Sequence, residues 1–193
     1  MKIFSLRIIG SGLLSILIAL VTWQTAGAYV TCCKWATNNA SFKYDLSLPS
    51  SFQDGTNYGA TVWTNVTTSS WFWVINNPSS NNLIRYGTID GSGNQGAATT
   101  RWTSGSTITK MEIKYDSAEN WYTGSGTPGS TQADLRSVAT HEFGHALGLN
   151  HTQSTNCPGG SSNATMCNSL TLGSTWMRTL ENDDKNGVAN LYP

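Results

Sequence analysis

All three histidines of this 193-residue chain fall within one short run, His141-Glu142-Phe143-Gly144-His145-Ala146-Leu147-Gly148-Leu149-Asn150-His151. The spacing is H-E-x-x-H-x-x-G-x-x-H. On a helix, His141 and His145 share one face, with Cβ atoms roughly 5–6 Å apart, so both rings can reach one zinc at ~2.0–2.1 Å. Glu142 lies about 100° round the helix from His141. It can therefore stand beside the metal without ligating it. Gly148 permits a sharp exit from the helix, which lets His151 return as a third ligand. Three protein ligands leave the fourth position open, the mark of a catalytic site and not of a closed structural one. The chemistry this predicts is peptide-bond hydrolysis through a zinc-activated water, with Glu142 as general base.

The elements that must position these residues can be read around them. Thr131 offers an N-cap, with Asp134 three residues on in capping-box register. Leu135, Val138, Ala139, Phe143, Ala146 and Leu147 form an apolar stripe, so a helix is expected over about 132–148. Upstream, Phe42 to Leu48 alternates apolar and polar residues and reads as a strand ending at Pro49. Tyr58, Val62, Trp63 and Val66 have helical spacing, and Trp71 to Ile75 reads as a strand. Leu83 to Ile89 and Thr107 to Tyr115 are further strands, and residues 90–96 and 123–129 are loops by composition. Leu180 to Leu191 is a C-terminal helix candidate. Strands with an early helix, then the motif helix, then a short C-terminal part make an α+β domain.

Composition bounds the setting. Lys2 and Arg7, the apolar run Ile8 to Val21 and the A-x-A site Ala26-Gly27-Ala28 read as a secretory signal over residues 1–28. The run is shorter than the ~20 residues of a membrane-spanning helix. Residues 29–193 then form a single domain. The chain balances 11 Lys and Arg against 11 Asp and Glu, and losing Lys2 and Arg7 leaves it slightly acidic. That gives no electrostatic case for nucleic acid or an anionic membrane. The expected product is a secreted, extracellular, monomeric protein acting on proteins or peptides.

The elongated motif resembles that of the metzincin metalloproteases, and within them the matrixins, the matrix-metalloproteinase-like family. Thr152 stands where matrixins carry Ser or Thr. Leu180-x-x-Asp183-Asp184-x-x-Gly187-x-x-x-Leu191-Tyr192 is similar to the family's C-terminal helix, and Lys34-Trp35 with the strand after it is similar to the start of its catalytic domain. The resemblance implies a metzincin-like domain with a mixed twisted sheet, an early helix, an active-site helix and a C-terminal helix. It also implies a methionine turn under the zinc, for which Met166 is the candidate; the other reading of Met166 is an ordinary core methionine. Cys167-Asn168 follows it, where matrixins often continue Tyr-Pro. Asn168 stands where astacin-like relatives place a tyrosine ligand. Asp90-Gly91-Ser92-Gly93, with Asp116 and Glu119, resembles a matrixin calcium loop, and calcium-binding and solvated-acid readings both stand. Matrixins also carry a structural zinc with further histidines. This chain has none to spare, and Lys114 stands where one would be, so one zinc is expected.

Four cysteines in an oxidising compartment favour disulfides. Cys157 and Cys167 flank a stretch beside the motif, and Cys32 and Cys33 are adjacent. Three pairings exist and sequence does not choose among them. Cys32 or Cys33 could instead reach the metal as a thiolate. Trp63, Trp71, Trp73, Trp102 and Trp121 permit a different class, a secreted carbohydrate- or protein-binding module with a non-catalytic metal site. Burial of those rings in a core is the other account of them.

Overall fold

The computed structural model describes residues 29–152, 157 and 164–193. Residues 1–28, expected from sequence to be a secretory signal, lie outside them, as do residues 153–156 and 158–163. The elements run β1 (Val30–Thr31), β2 (Lys34–Trp35), β3 (Asn39–Ser41), β4 (Lys43–Tyr44), α1 (Gln53–Thr64), β5 (Phe72–Val74) and β6 (Leu83–Tyr86). They continue with β7 (Ala97–Ser104), β8 (Thr107–Tyr115), β9 (Trp121–Tyr122), β10 (Ala133–Asp134), α2 (Leu135–Leu147), β11 (Leu149–Asn150) and α3 (Asn182–Leu191). A mixed sheet with an early, a middle and a C-terminal helix is the arrangement that the matrixin resemblance implies, and it fits the α+β domain read from the residues.

The main sheet has five strands. β2, β6 and β4 run parallel to the direction set by β8, and β7 pairs antiparallel with β8 on its other side. β8 spans the residues its alternation predicts, with Ile108, Met111, Ile113 and Tyr115 buried. The step from Ile108 to Met111 breaks the period of two. Trp102 faces Lys110 and Thr103 faces Ile108, so Thr109 is an extra residue on β8. A bulge of this kind re-phases the side chains and keeps the buried face continuous.

β7 carries no apolar alternation and is not expected from sequence. Its inward positions hold Ala97, Thr99 and Arg101. The last two are polar because they face the carboxylate and carbonyls of α2, as described below. The expected strand at Phe42 to Leu48 is shorter than its alternation suggests. Pairing with β6 covers only Lys43 and Tyr44, and the Asp45 side chain then accepts the Ser47 N–H at 3.0 Å, which turns the chain out of the sheet.

α1 begins at Gln53, upstream of the stretch with helical spacing. Gly55 and Gly59 weaken its sequence signal, yet they are what lets it pack. A Cβ on Gly59 would lie 2.6 Å from the Ala139 carbonyl carbon, and one on Gly55 2.7 Å from the Leu135 side chain. Two glycines four residues apart thus bring α1 against the backbone of α2. Trp63 closes the contact, donating its indole N–H to the Thr140 carbonyl at 2.7 Å. One turn beyond Ala139, Phe143 packs at 5.1 Å between ring centroids on both Phe42 and Trp73.

The last turn of α2 has carbonyls with no helical partner. Trp35 Nε1 donates to Ala146 O at 2.9 Å and Tyr192 Oη to Leu147 O at 2.7 Å. The Trp35 N–H in turn donates to Tyr192 Oη at 2.9 Å. Both ends of the described chain therefore lock the end of the histidine-bearing helix. β1 adds an antiparallel pairing with β11, the segment leading to His151.

Candidate metal centre

α2 starts at Leu135 and not near residue 132. Ala133 and Asp134 are extended, paired parallel with β9, so the capping box expected at Thr131 does not form. Asp134 is itself the N-cap, accepting the Ser137 N–H at 2.9 Å. A carboxylate there satisfies a free N–H and suits the positive end of the helix dipole. The helix ends where expected. Gly148 has φ 113°, and a Cβ there would lie 1.9 Å from the Cys33 carbonyl oxygen, so this position requires glycine on both counts.

The turn brings the three histidines together. His151 Nε2 stands 3.3 Å from His141 Nε2 and 3.2 Å from His145 Nε2. All three ligand nitrogens lie within 4.8 Å of one another. His141 Nδ1 donates to the Thr165 carbonyl at 2.7 Å and His145 Nδ1 to the Leu149 carbonyl at 2.8 Å. These bonds place the ring protons on Nδ1 and leave Nε2 lone pairs facing inward, the orientation that ligating histidines need. Burial lowers the pKa of His141, and holds that of His145 down to about 2, so both rings are neutral. Three convergent lone pairs repel unless a cation sits among them. Two Zn–N bonds of ~2.0–2.1 Å at a tetrahedral angle separate their nitrogens by roughly 3.3 Å. The donor set fits zinc.

Glu142 is buried beside this group. Thr99 Oγ1 donates to its Oε2 at 2.6 Å and also lies 3.1 Å from its carbonyl oxygen. Burial pushes its pKa up to about 7; the Thr99 hydrogen bond and the nearby His151 and Arg101 pull the other way. Glu142 and the three histidines line one open cleft of about 890 Å³, with Val138, Leu170 and Met177 among its apolar residues.

Met166 lies under the helix. A Cβ on Gly144 would stand 2.2 Å from its Sδ. Its carbonyl accepts the Thr152 N–H at 2.9 Å, which joins it to the residue after His151. Asp184, at the start of α3, accepts the N–H groups of Thr165 at 2.8 Å and Met166 at 3.1 Å. α3 therefore holds the segment whose Thr165 carbonyl orients His141. Thr99, Thr165 and Arg101 carry no motif; only the fold brings them to the histidines. Asn168 is exposed and lines the cleft.

The remaining candidates sit elsewhere. Asp116 is buried and accepts the N–H groups of Ile89, Asp90, Gly91 and Ala118. These bonds, that from Ala118 foremost, lower its pKa. Glu119 accepts the Gly93 N–H at 2.6 Å, and Asp90 that of Gln95 at 3.3 Å. The carboxylate oxygens thus close the 90–96 loop onto the sheet. Among the described residues, the histidine group is where metal-ligating side chains gather. Lys114 Nζ donates to the Thr88 carbonyl at 2.8 Å. Cys157 pairs with Cys167, and Cys32 with Cys33, so neither early cysteine offers a thiolate to the histidines. Trp63, Trp71 and Trp73 are buried and only Trp102 of the five rings is well exposed. Trp63, Trp71 and Trp73 belong to the core and Trp121 packs against it, while Lys110 Nζ lies 4.4 Å over the Trp102 ring.

The matrixin family model matches residues 57–193, well over half of the chain and the whole histidine motif. The chain belongs to the matrixin family. No match was found among curated proteins. Membership makes this matrixin a metalloprotease, with protein or peptide as its substrate class, and the three-histidine group accords with the zinc such proteases use.

Proposed function

We propose that this matrixin is a secreted zinc endopeptidase, with His141, His145 and His151 as zinc ligands and Glu142 as general base. The observation that carries the reading is the convergence of three Nε2 atoms beside a buried carboxylate in an open cleft. A zinc ion held there supplies Lewis-acid activation of a water and of the scissile carbonyl. Glu142 accepts the attacking water's proton and delivers it to the departing amine. The water oxygen bonds to the carbonyl carbon, the C–N bond breaks, and the products are a carboxylate and an amine. Burial raises the pKa of the Glu142 carboxyl, and a zinc ion beside it would favour the carboxylate, the form that accepts the water's proton. The Nδ1 bonds to Thr165 and Leu149 keep the two helical rings aimed inward through the cycle.

The rest of the reading concerns setting. Residues 1–28 act as a cleaved signal, and 29–193 form one monomeric catalytic domain. Met166 serves as the floor of the site, and Gly148 as the turn that returns His151. The two disulfides suit an oxidising, extracellular location.

The test uses the purified protein and a peptide library. Cleavage should be abolished by a chelator and restored by zinc. Glu142→Ala should keep one bound zinc yet lose activity by several orders of magnitude. Full activity in that variant removes the assignment. N-terminal sequencing of secreted protein checks cleavage after Ala28.

A further inference from the structure

Two inward-facing residues of the edge strand β7 reach α2, and they do different things. Thr99 Oγ1 bonds to Glu142, through its carboxylate and its carbonyl. Arg101, one pleat further on, lies against the end of the helix. Its Nη1 donates to the His145 carbonyl at 2.7 Å and to the Leu149 carbonyl at 3.0 Å. Its Nη2 donates to Asn150 Oδ1 at 3.0 Å. The Leu149 carbonyl is the one that also accepts His145 Nδ1.

One half-buried guanidinium therefore spans three points. They are the backbone of the second histidine, the carbonyl that orients its ring, and the side chain of the residue before the third. The Gly148 turn lies between them. We propose that Arg101 is a positioning residue of the metal centre, tying the Gly148 turn so that His145 and His151 face one point. This rests on the reading of the three histidines as zinc ligands.

The chemistry of the side chain fits the task. His145 O and Leu149 O lie at the negative end of α2, where a cation is favoured. Arginine presents five donors in a rigid fork and reaches the three acceptors from two nitrogens; lysine carries its three donors on one nitrogen and lacks that span. Asn150 and Arg101 also join β7 to β11, so the sheet and the returning segment hold one geometry.

Electrostatics and positioning give opposite signs. A positive charge near a cation site repels the metal, so if charge were all that mattered, removing Arg101 should tighten zinc. If Arg101 positions the ligands, removing it should weaken zinc, and outer-sphere partners of ligating histidines typically carry about 10–100-fold in affinity.

The experiment is chelator competition for Zn²⁺ on metal-free wild type and Arg101→Met, with the visible spectrum of the Co²⁺ form and the urea stability of the metal-free protein. Arg101→Met should bind zinc about 10–100-fold more weakly, with an altered Co²⁺ band. Equal or tighter binding with an unchanged band overturns the proposal. If Arg101→Met does not fold, Arg101→Lys decides. It keeps the charge and stem, and should still bind zinc several-fold more weakly than wild type; equality overturns the proposal. A wild type that takes up no zinc overturns the ligand reading instead.

Discussion

Gly144 and Met166 meet so closely that no side chain fits between them. A Cβ on Gly144 would lie 2.2 Å from Met166 Sδ and 2.8 Å from Trp63 Cζ2. The thioether can swing aside, but Trp63 is fully buried and held by Thr140. Gly144→Ala should therefore destabilise the metal-free protein by about 1–3 kcal/mol, the usual cost of overpacking. Met166→Ala in the same chain should recover part of that loss, giving a non-additive pair. Urea melts of the two single variants and the double variant measure it. Strict additivity would show that the steric contact does not set the cost.

The three histidines differ in how far the fold depends on them. His141 is buried and bonded to Thr165, whereas His151 is exposed. His151→Ala should leave metal-free stability within about 0.5 kcal/mol of wild type, as exposed substitutions generally do. It should nonetheless abolish most of the stabilisation by zinc. That stabilisation is about 4 kcal/mol for a ligand at a thousand times its Kd. Thermal melts with and without zinc separate the two effects. A large loss in the metal-free form would mean His151 also holds the fold.

What was legible in the sequence was whatever acts locally. The motif helix, its end at Gly148 and the strand at Thr107 to Tyr115 follow from short-range spacing. The strand Ala97–Ser104 did not, because its inward face is polar, and polarity there makes sense only once Glu142 and the end of α2 stand opposite. The start of α1 was hidden for a related reason. Gly55 and Gly59 look like helix breakers until Leu135 and Ala139 are placed against them. The cap of α2 lies three residues beyond the one the local pattern favours, since Thr131 and Asp134 both satisfy the local rule, and only the pairing of Ala133–Asp134 with β9 decides between them. At the site, the three histidines and Glu142 were legible as a group, but the residues bonded to that group, Thr99, Thr165 and Arg101, reach it through long-range contacts that no motif encodes.

Asp184 gives a pH-dependent expectation. Its carboxylate is buried, and burial pushes its pKa up to about 6 against the opposing bonds from Thr165, Glu181 and Met166. A carboxyl whose native pKa is raised holds its proton more tightly folded than unfolded, where it titrates near 3.9. The stability it contributes is full below the unfolded value and is lost as pH rises through about 6. Asp184→Asn cannot titrate. The stability of wild type relative to Asp184→Asn should fall between about pH 4 and pH 6, read from urea melts across that range. A rise over the same interval would show that the three N–H bonds outweigh burial.

Arg178 and Asp134 form the most enclosed ion pair among the described residues, with side-chain exposures of 13% and 0%. Nε and Nη2 of Arg178 both reach the carboxylate, at 2.8 and 2.5 Å. The same guanidinium donates to the carbonyls of Ser125 and Gly126 at 2.7 and 2.9 Å. It thus joins the start of α2 to the 123–129 loop and to the segment after Met166. Arg178→Ala leaves a buried carboxylate unpaired and should cost about 3–5 kcal/mol. Asp134→Ser with Arg178→Met removes both charges while keeping an N-cap hydroxyl for Ser137. That double variant should be clearly more stable than Arg178→Ala alone. If the two are equally unstable, the loss comes from the loop contacts at Ser125 and Gly126, and the charge on Asp134 is not what Arg178 is needed for.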